Sequence, residues 1–470
     1  MVQRHTINDR SNAAIELPYA DGFRGIWYSN QATGNEFVYK YSGGLATYPQ
    51  QHAPIAIYAP DVNQTFFVFG GTLPDNSTLL HMIACYDHSA KKVSRPRVLV
   101  NKQTTDAHDN PVLSLDKDGY VWVFSNTHGN APRASYIFRS AKPYDITSFS
   151  RIDLPHDVFP EQRFNYGQPW YLPGHGFVFL HTRYGGNNHF RQLYTTTSSD
   201  GYSWTSPRAL SAMPNGQYQI SYVCKNRIVT ALNYHPPEGE FNARTRLYYL
   251  ESTDAAHSWQ NAEGKTLALP LNNKNNEALV YDYEREGKLV YLKNITMTPD
   301  GEPVILYLLS THYNPGPLSP ARQLWTARWD GHHWIRKPVV TTDHNYDFAP
   351  LVIDACGQWR MMGPFLPGPQ AYGTGGEIGL WTSDDQGANW TMVRQVTRNS
   401  LRNHTYMRHP VHAQDDFYMF WADGNAFAPS VSHLYFTDRN GDVVYRLPEE
   451  VDRDWVEPEP VRMDARGPMF

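Results

Sequence analysis

Histidine, tyrosine and arginine recur where the apolar strands of this chain begin and end. His128 closes the alternating run Trp122-Val-Phe-Ser-Asn-Thr-His128, Arg183 nearly closes Phe177-Val-Phe-Leu-His-Thr-Arg183-Tyr184, and Tyr234 closes Ile228-Val-Thr-Ala-Leu-Asn-Tyr234. Just ahead of other apolar strands stand His52, His108, Tyr166, Gln217, Asn276, Tyr346 and His404. A neutral imidazole takes a proton near pH 7 without a large pKa shift, and a phenol can give one. A guanidinium stays charged and presents a fixed two-pronged donor to a carboxylate. On one rim, such groups are suited to proton transfer beside a carboxylate. Each also has a structural reading when taken singly: a hydrogen-bonded histidine, a packed tyrosine, an arginine paired with a neighbouring acid. Convergence at equivalent positions is what would favour chemistry.

The elements that would bring them together are written as a repeat. Seven times an apolar or aromatic strand is followed by an Asp at a turn: Asp87, Asp145, Asp200, Asp254, Asp330, Asp385 and Asp438, spaced by 58, 55, 54, 76, 55 and 53 residues. A strand-rich repeat of this length predicts an all-β, seven-bladed propeller with four-stranded antiparallel blades. Ser383-Asp-Asp-Gln-Gly-Ala-Asn-Trp390 matches the Asp-box pattern S-x-D-x-G-x-x-W, Ser252 to Trp259 has Ala256 in the Gly place, and Ser198 to Trp204 is one residue short. Here Asp can bond turn amides, Gly supplies a permissive backbone and Trp can wedge between adjacent sheets. The blades run from about residue 21 to 445, so 1–470 reads as one propeller domain with short terminal extensions. The long Asp254–Asp330 interval predicts an extended loop through Asn272–Asn276 or Asn314–Pro320. In a propeller the first strand of each blade lines the central channel, so the seven polar entries should converge on one mouth as an aromatic-walled pit.

Composition narrows the classes. Aromatics make up 14% of 470 residues, with 33 Gly and 34 Pro, as many short strands and turns require. The net charge of −5 gives no global basic field for nucleic acid, so an acidic ligand must be held by a local cationic group. No apolar run reaches the roughly 18 residues that span a bilayer, and the start lacks the apolar core of a secretory signal. Three cysteines, Cys85, Cys224 and Cys356, lie in distant blades without metal-type spacing and read as buried strand residues.

Several phrases resemble one propeller family. Gly25-Ile-Trp-Tyr28, Glu36-Phe-Val-Tyr-Lys-Tyr-Ser-Gly-Gly44, His52-Ala-Pro and Leu79-Leu-His-Met82 are among them, with Asp106-Ala-His-Asp-Asn-Pro111 and Ser125-Asn-Thr-His-Gly129 the most specific. Tyr166-Gly-Gln-Pro-Trp170, Gln217-Tyr-Gln-Ile-Ser221 and Asn233-Tyr-His-Pro236 extend the likeness. Over residues of about 21 to 440 the chain resembles the ulvan lyases and their relatives acting on rhamnose–glucuronate linkages. The resemblance implies a polysaccharide lyase that cleaves uronate-containing polysaccharide by β-elimination. It implies a His and a Tyr as the proton-transfer pair, carried onto His108 and Tyr166, and a second His and an Arg near the substrate carboxylate, carried onto His128 and Arg183. Arg191 and Tyr184 compete for the Arg and Tyr positions, and Tyr234 matches a tyrosine lining the cleft. His52, Gln217 and Asn276 are expected at the substrate.

That chemistry requires three acts on a 4-linked uronate: neutralising the carboxylate, removing the C5 proton and protonating the departing oxygen at C4. No cofactor is required. A structural Ca2+ or Zn2+ is conceivable near His52, His404, His409 and His412, although no dense ligand motif compels it. The expected partner is an acidic polysaccharide such as ulvan, met by a monomer that is secreted or periplasmic, because the polymer is too large to enter the cytoplasm intact; the signal peptide is not part of this chain. Two rival readings stand beside this one: a glycoside hydrolase releasing rhamnose from rhamnose–glucuronate linkages, and a non-catalytic carbohydrate-binding propeller.

Overall fold

The structure, a computed structural model, describes residues 13–185, 190–239 and 242–461. Seven antiparallel sheets follow one another in chain order, each built from four strands in succession, the fourth of blade 1 being split into Lys92–Ser94 and Arg97–Asn101, which is the seven-bladed propeller that the repeat predicts. The innermost strands are Ala56–Ala59, Pro111–Leu115, Asn165–Leu172, Gln219–Cys224, Leu289–Met297, Leu351–Ile353 and Asn403–Arg408 for blades 1 to 7. Three short 3₁₀ turns are the only helical segments among the described residues.

Every repeat Asp sits between the third and fourth strands of its blade and accepts backbone N–H bonds of its own turn. Examples are Asp87 Oδ1 from the amides of Ser89 and Ala90 at 2.9 and 2.8 Å, and Asp330 Oδ1 from His332 and His333 at 2.9 and 2.8 Å. In the complete box, Ser383 Oγ donates to Asp385 Oδ1 at 2.8 Å and accepts from the Gly387 amide at 3.0 Å. Gly387 has φ +81°, and a Cβ there would lie 2.7 Å from the Trp359 ring, so conformation and packing both demand glycine. Trp204 packs against Phe124 of blade 2 and Phe177 of blade 3, the wedge expected of the motif. Trp359 is 1% exposed in the core of blade 6. We expect Trp359→Ala to cost about 3–5 kcal/mol, read as a fall in the denaturant midpoint at constant m-value.

Closure does not share a blade between the chain ends. Blades 7 and 1 meet directly, with Phe67 packing on Phe417 and Phe420 and the Val411 amide donating to Ala56 O at 2.9 Å. Both termini then strap the outside. Ile15–Glu16 extends blade 2, Trp455–Val456 extends blade 1 and Glu459–Val461 extends blade 7, covering edges that would otherwise be open.

The long interval after Asp254 is the connection to the fourth strand of blade 4, folded back by bridges of Gln260 with Glu251 and Thr266. Asn276 lies in that connection, so it does not enter an innermost strand as its sequence position suggests. Cys85 is buried, but Cys224 is half-buried and Cys356 is exposed in a turn, which corrects the expectation of three buried strand cysteines.

Candidate active site

A hairpin outside the blades, Trp27–Ala32 paired with Tyr39–Gly44, crosses one mouth of the channel. Trp27 Nε1 donates to Asn425 O at 2.8 Å and Ser42 Oγ to Ala426 O at 2.6 Å, fixing the hairpin to blade 7. Its return brings Tyr41 and Tyr48 over the entry to blade 2. There Asn110 Nδ2 donates to Leu45 O and Tyr48 O, both at 2.8 Å, so blade and hairpin are held in one register.

The motif Asp106-Ala-His-Asp-Asn-Pro111 folds as a 3₁₀ turn capped by Asp106 and ended by Pro111 at the strand start. Asp106 spreads its two oxygens over two imidazoles. Oδ1 lies 2.5 Å from His108 Nδ1 and Oδ2 lies 2.8 Å from His128 Nδ1. The two rings stack with centroids 3.9 Å apart. Asp109, one turn on, accepts the His128 amide at 2.7 Å and Arg133 Nε at 3.1 Å, anchoring the loop that carries His128. Protons on both Nδ1 atoms leave His108 Nε2 as the acceptor, and it meets the hydroxyls of Tyr48 and Tyr41 at 2.7 and 2.8 Å. Burial, reinforced by the neighbouring His128, pushes His108 down to about 4, with Asp106 pulling the other way. Burial would raise Asp106, but the two imidazoles hold its carboxyl well below the usual range.

Tyr166 enters the same cavity from blade 3. Its φ is +50°, and the strand register slips between Asn165 and Gln168, so a bulge aims the side chain inward. The Tyr166 ring lies 6.4 Å from that of His108 and 6.2 Å from that of His128. Burial raises its phenol well above the ordinary value. Behind it, Tyr184 reaches its hydroxyl at 3.4 Å, and Arg191 Nε donates to Tyr184 Oη at 3.2 Å. Tyr218 stands beside Tyr166 with ring centroids 5.4 Å apart. Burial would raise Tyr218, yet Arg191 and Arg244 over its ring bring it down to about 8.

The cavity encloses about 150 Å3 and is lined by His108, His128, Tyr166 and Arg191 together with Lys40, Tyr41, Tyr48, Tyr218, Arg244 and Tyr346, besides several amides. Tyr184 is directly behind this lining, and His52 is buried beneath it with its ring 5.9 Å from Tyr166. Four expectations fall elsewhere. Arg183 turns away: side chains alternate along a strand, and Tyr184 faces the cavity. Its guanidinium lies 4.6 Å over the Tyr194 ring and donates to Val158 O. Tyr234 packs in the apolar cluster between blades 3 and 4, near Tyr248 and Leu271. Gln217 is fully buried, accepting from Ser211 Oγ at 2.7 Å and donating to Met213 O at 3.0 Å. Asn276 bonds within its own turn, to Asn273 O and the Ala278 amide.

Sequence reasoning missed Asp106, Tyr48, Tyr218 and Arg244 as site residues. Asp106 was in view inside its motif, and Tyr218 sits next to Gln217 with opposite strand parity. Arg244 carried no local signal, because it reaches the cavity from the loop before the third strand of blade 4.

The four histidines considered for a structural cation do not converge. His404 accepts Trp421 Nε1 at 2.9 Å, and His409 packs edge-on to Tyr418 at 4.7 Å. Among the described residues only Asp106, His108 and His128 form a group of three whose ligand-type atoms all lie within 4.8 Å of one another. Their O···N distances of 2.5 and 2.8 Å are those of direct hydrogen bonds, so this set does not fit a cation between carboxylate and rings.

Fold and site together define a seven-bladed propeller with a cationic, histidine- and tyrosine-lined cavity at one mouth. The chain belongs to the BNR repeat-containing family, which matches residues 81–342, more than half of its length. It is similar to an ulvan lyase of Nonlabens ulvanivorans, 22% identical over 348 residues that cover 65% of this chain and 70% of that one. It is also similar to an ulvan lyase of Alteromonas sp. (strain LOR), 21% identical, covering 54% of this chain and 58% of the relative. Among solved structures, a PL25 ulvan lyase aligns with a TM-score of 0.69 at 16% identity, covering 91% of this chain and 96% of that one. The same lyase has been solved bound to -[GlcA(1-4)Rha3S]-. The polysaccharide lyase Uly1 aligns with a TM-score of 0.61 at 12% identity. The chain is an ulvan lyase-like propeller.

Proposed function

We propose that this protein is a polysaccharide lyase that cleaves the bond at C4 of a glucuronate or iduronate in ulvan, a rhamnose-3-sulfate–uronate polymer, by β-elimination. The observation that carries the reading is the make-up of the cavity: among the described residues its lining holds two imidazoles, several phenols and three cations, and no Asp or Glu. A glycosidase of the usual kind needs two carboxylates flanking the bond, and Asp106 is committed to the two imidazoles. A lyase instead needs cations for the substrate carboxylate and a neutral base, which is what lines this cavity.

In the mechanism that the geometry supports, Arg191 and His128 meet the uronate carboxylate and stabilise the charge that builds as the C5 proton leaves. His108 Nε2 takes that proton, with Asp106 fixing the tautomer through Nδ1–H. Substrate displaces the Tyr41 and Tyr48 hydroxyls from Nε2. Tyr166 gives its phenolic proton to the departing oxygen, and C4–O cleavage leaves a C4=C5 double bond conjugated with the carboxylate. The scheme asks for no metal. We propose that the protein works outside the cytoplasm, where its polymeric substrate is found, and as a monomer. Among the described residues no helix is long and apolar enough to cross a membrane.

The test is ultraviolet absorbance of the conjugated, unsaturated uronate while the protein acts on ulvan. A rise supports elimination. Saturated reducing ends without a rise would make the protein a hydrolase, and binding without either product would make it a carbohydrate-binding propeller.

A further inference from the structure

The innermost strands run from the mouth that holds the site to the opposite one, and their far halves line a second cavity of about 580 Å3. That volume lies in the range of small-ligand pockets. Ile57, Leu115, Trp170, Ile220, Ile295 and Leu351 line it from blades 1 to 6 in turn, so most of the wall is apolar. Polar groups of the wall already bond within the protein. Ser221 Oγ accepts Trp170 Nε1 at 2.8 Å and donates to Gln168 Oε1 at 2.5 Å, and Asn294 Oδ1 accepts the Leu351 amide at 3.2 Å.

The charges of this cavity are unequal in sign. Asp116 is the one carboxylate of the lining among the described residues, and it is engaged. Its Oδ2 accepts Trp122 Nε1 at 2.8 Å, and its Oδ1 accepts the Asp118 and Tyr120 amides at 3.0 and 2.9 Å. Of the cations, Lys117 pairs with Asp118 at 2.7 Å, Lys225 is exposed in a turn, and Lys293 Nζ donates to Asn345 O at 2.7 Å within the field of Asp347. Arg408 has no acid. It is 6% exposed, lies 5.2 Å over the Phe348 ring and donates to the carbonyls of Thr47, Pro49 and His52, and among the described residues it forms no ion pair. A buried cation answered by neutral oxygens alone gains from an anionic ligand. Burial lowers the pKa of this guanidinium, in keeping with that cost.

We propose that the far mouth of the channel is a second ligand site, which takes a small amphipathic carboxylate with its head at Arg408 and its apolar body along the aliphatic wall. One buried cation beside such a wall matches a single charge on an apolar body. A sugar would find its hydroxyls facing aliphatic side chains and polar groups that already have partners. The site is distinct from the cavity of His108 and Tyr166 and does not depend on the reaction performed there; Gln50 lines both.

The experiment is calorimetric titration of the full chain with octanoate and with 1-octanol, which has the same body and no charge. Octanoate should bind at one site with a Kd of about 10–100 μM, the range open to a ligand of about ten non-hydrogen atoms. Octanol should bind about 10-fold more weakly, the contribution of a charge-assisted hydrogen bond. Ile57→Trp, which places an indole in the cavity without touching Arg408, should abolish octanoate binding at an unchanged thermal midpoint; Ile353→Trp serves if that variant does not fold. Arg244→Gln, in the first cavity, should bind octanoate as the wild type does. Arg408 also holds the Thr47–His52 segment, so Arg408→Gln is read as a ratio: octanoate and octanol should become equal within that variant, whatever the segment does. Absence of octanoate binding up to about 1 mM, or equal affinity for both probes in the wild type, would overturn the proposal. So would loss of binding in Arg244→Gln with retention in Ile57→Trp, which would place the ligand in the first cavity. Displacement of octanoate by ulvan oligosaccharides in Arg244→Gln would make the far mouth a sugar site instead.

Discussion

His108→Ala should lower kcat for ulvan elimination by about 10²–10⁴, the usual contribution of a positioned base, while the thermal midpoint stays close to that of the wild type. His108 is the residue on which Asp106, the His128 ring and the hydroxyls of Tyr41 and Tyr48 all converge. Its burial carries a second, independent readout. Because burial holds His108 down at about 4, the imidazole is neutral, and so able to accept a proton, at every pH above that value. The acid limb of kcat/KM should therefore descend through about pH 4. An ordinary, solvated histidine would place it near 6.5. Turnover of His108→Ala at the wild-type rate would remove His108 from the mechanism. A limb near 6.5 would mean that the base is solvated, contrary to its place beneath the hairpin.

Arg191→Gln should cost about 10²–10³ in kcat, as loss of a donor that stabilises developing charge does elsewhere, whereas Arg183→Gln should leave turnover within a few-fold of wild type. The two arginines lie on one hairpin of blade 3 and look alike in sequence. Strand parity separates them. Tyr184 pairs across the hairpin with Arg191, so both present side chains to the cavity face, while Arg183 pairs with Gln192 on the opposite face. Arg191→Lys tests the geometry further: it keeps the charge and loses the planar fork, so most of the loss should remain. A large effect at Arg183 combined with none at Arg191 would show that the hairpin is read in the wrong register.

Much of the fold was legible because its determinants are local. An Asp that accepts amides two to five positions onward closes its turn whatever lies elsewhere in the chain, and all seven such turns carry their residues within one short window. Alternating apolar strands between those turns leave a propeller as the arrangement that buries them. For the same reason His108 and His128 could be singled out. Each ends or begins a strand whose direction the pattern sets, and the turn that holds His108 is written in six consecutive residues.

What sequence alone could not decide is which face a strand end presents at the bulges, and what arrives from outside the blade. Tyr166 reaches the cavity only because a bulge breaks the alternation, and Gln217 and Tyr218 exchange the places that simple counting assigns them. Tyr41 and Tyr48 reach His108 from a hairpin and its return, 67 and 60 residues upstream, positioned by bonds to blade 7 at the far end of the chain. Arg244 joins the site from a loop of blade 4 and Tyr346 from the approach to blade 6. The sequence by itself determined the repeat, the strands and the imidazole pair, since these follow from short-range periodicity and turn chemistry. The tertiary structure decided the cationic wall and the phenols around His108, because ring closure brings together residues whose separation along the chain carries no periodic signal.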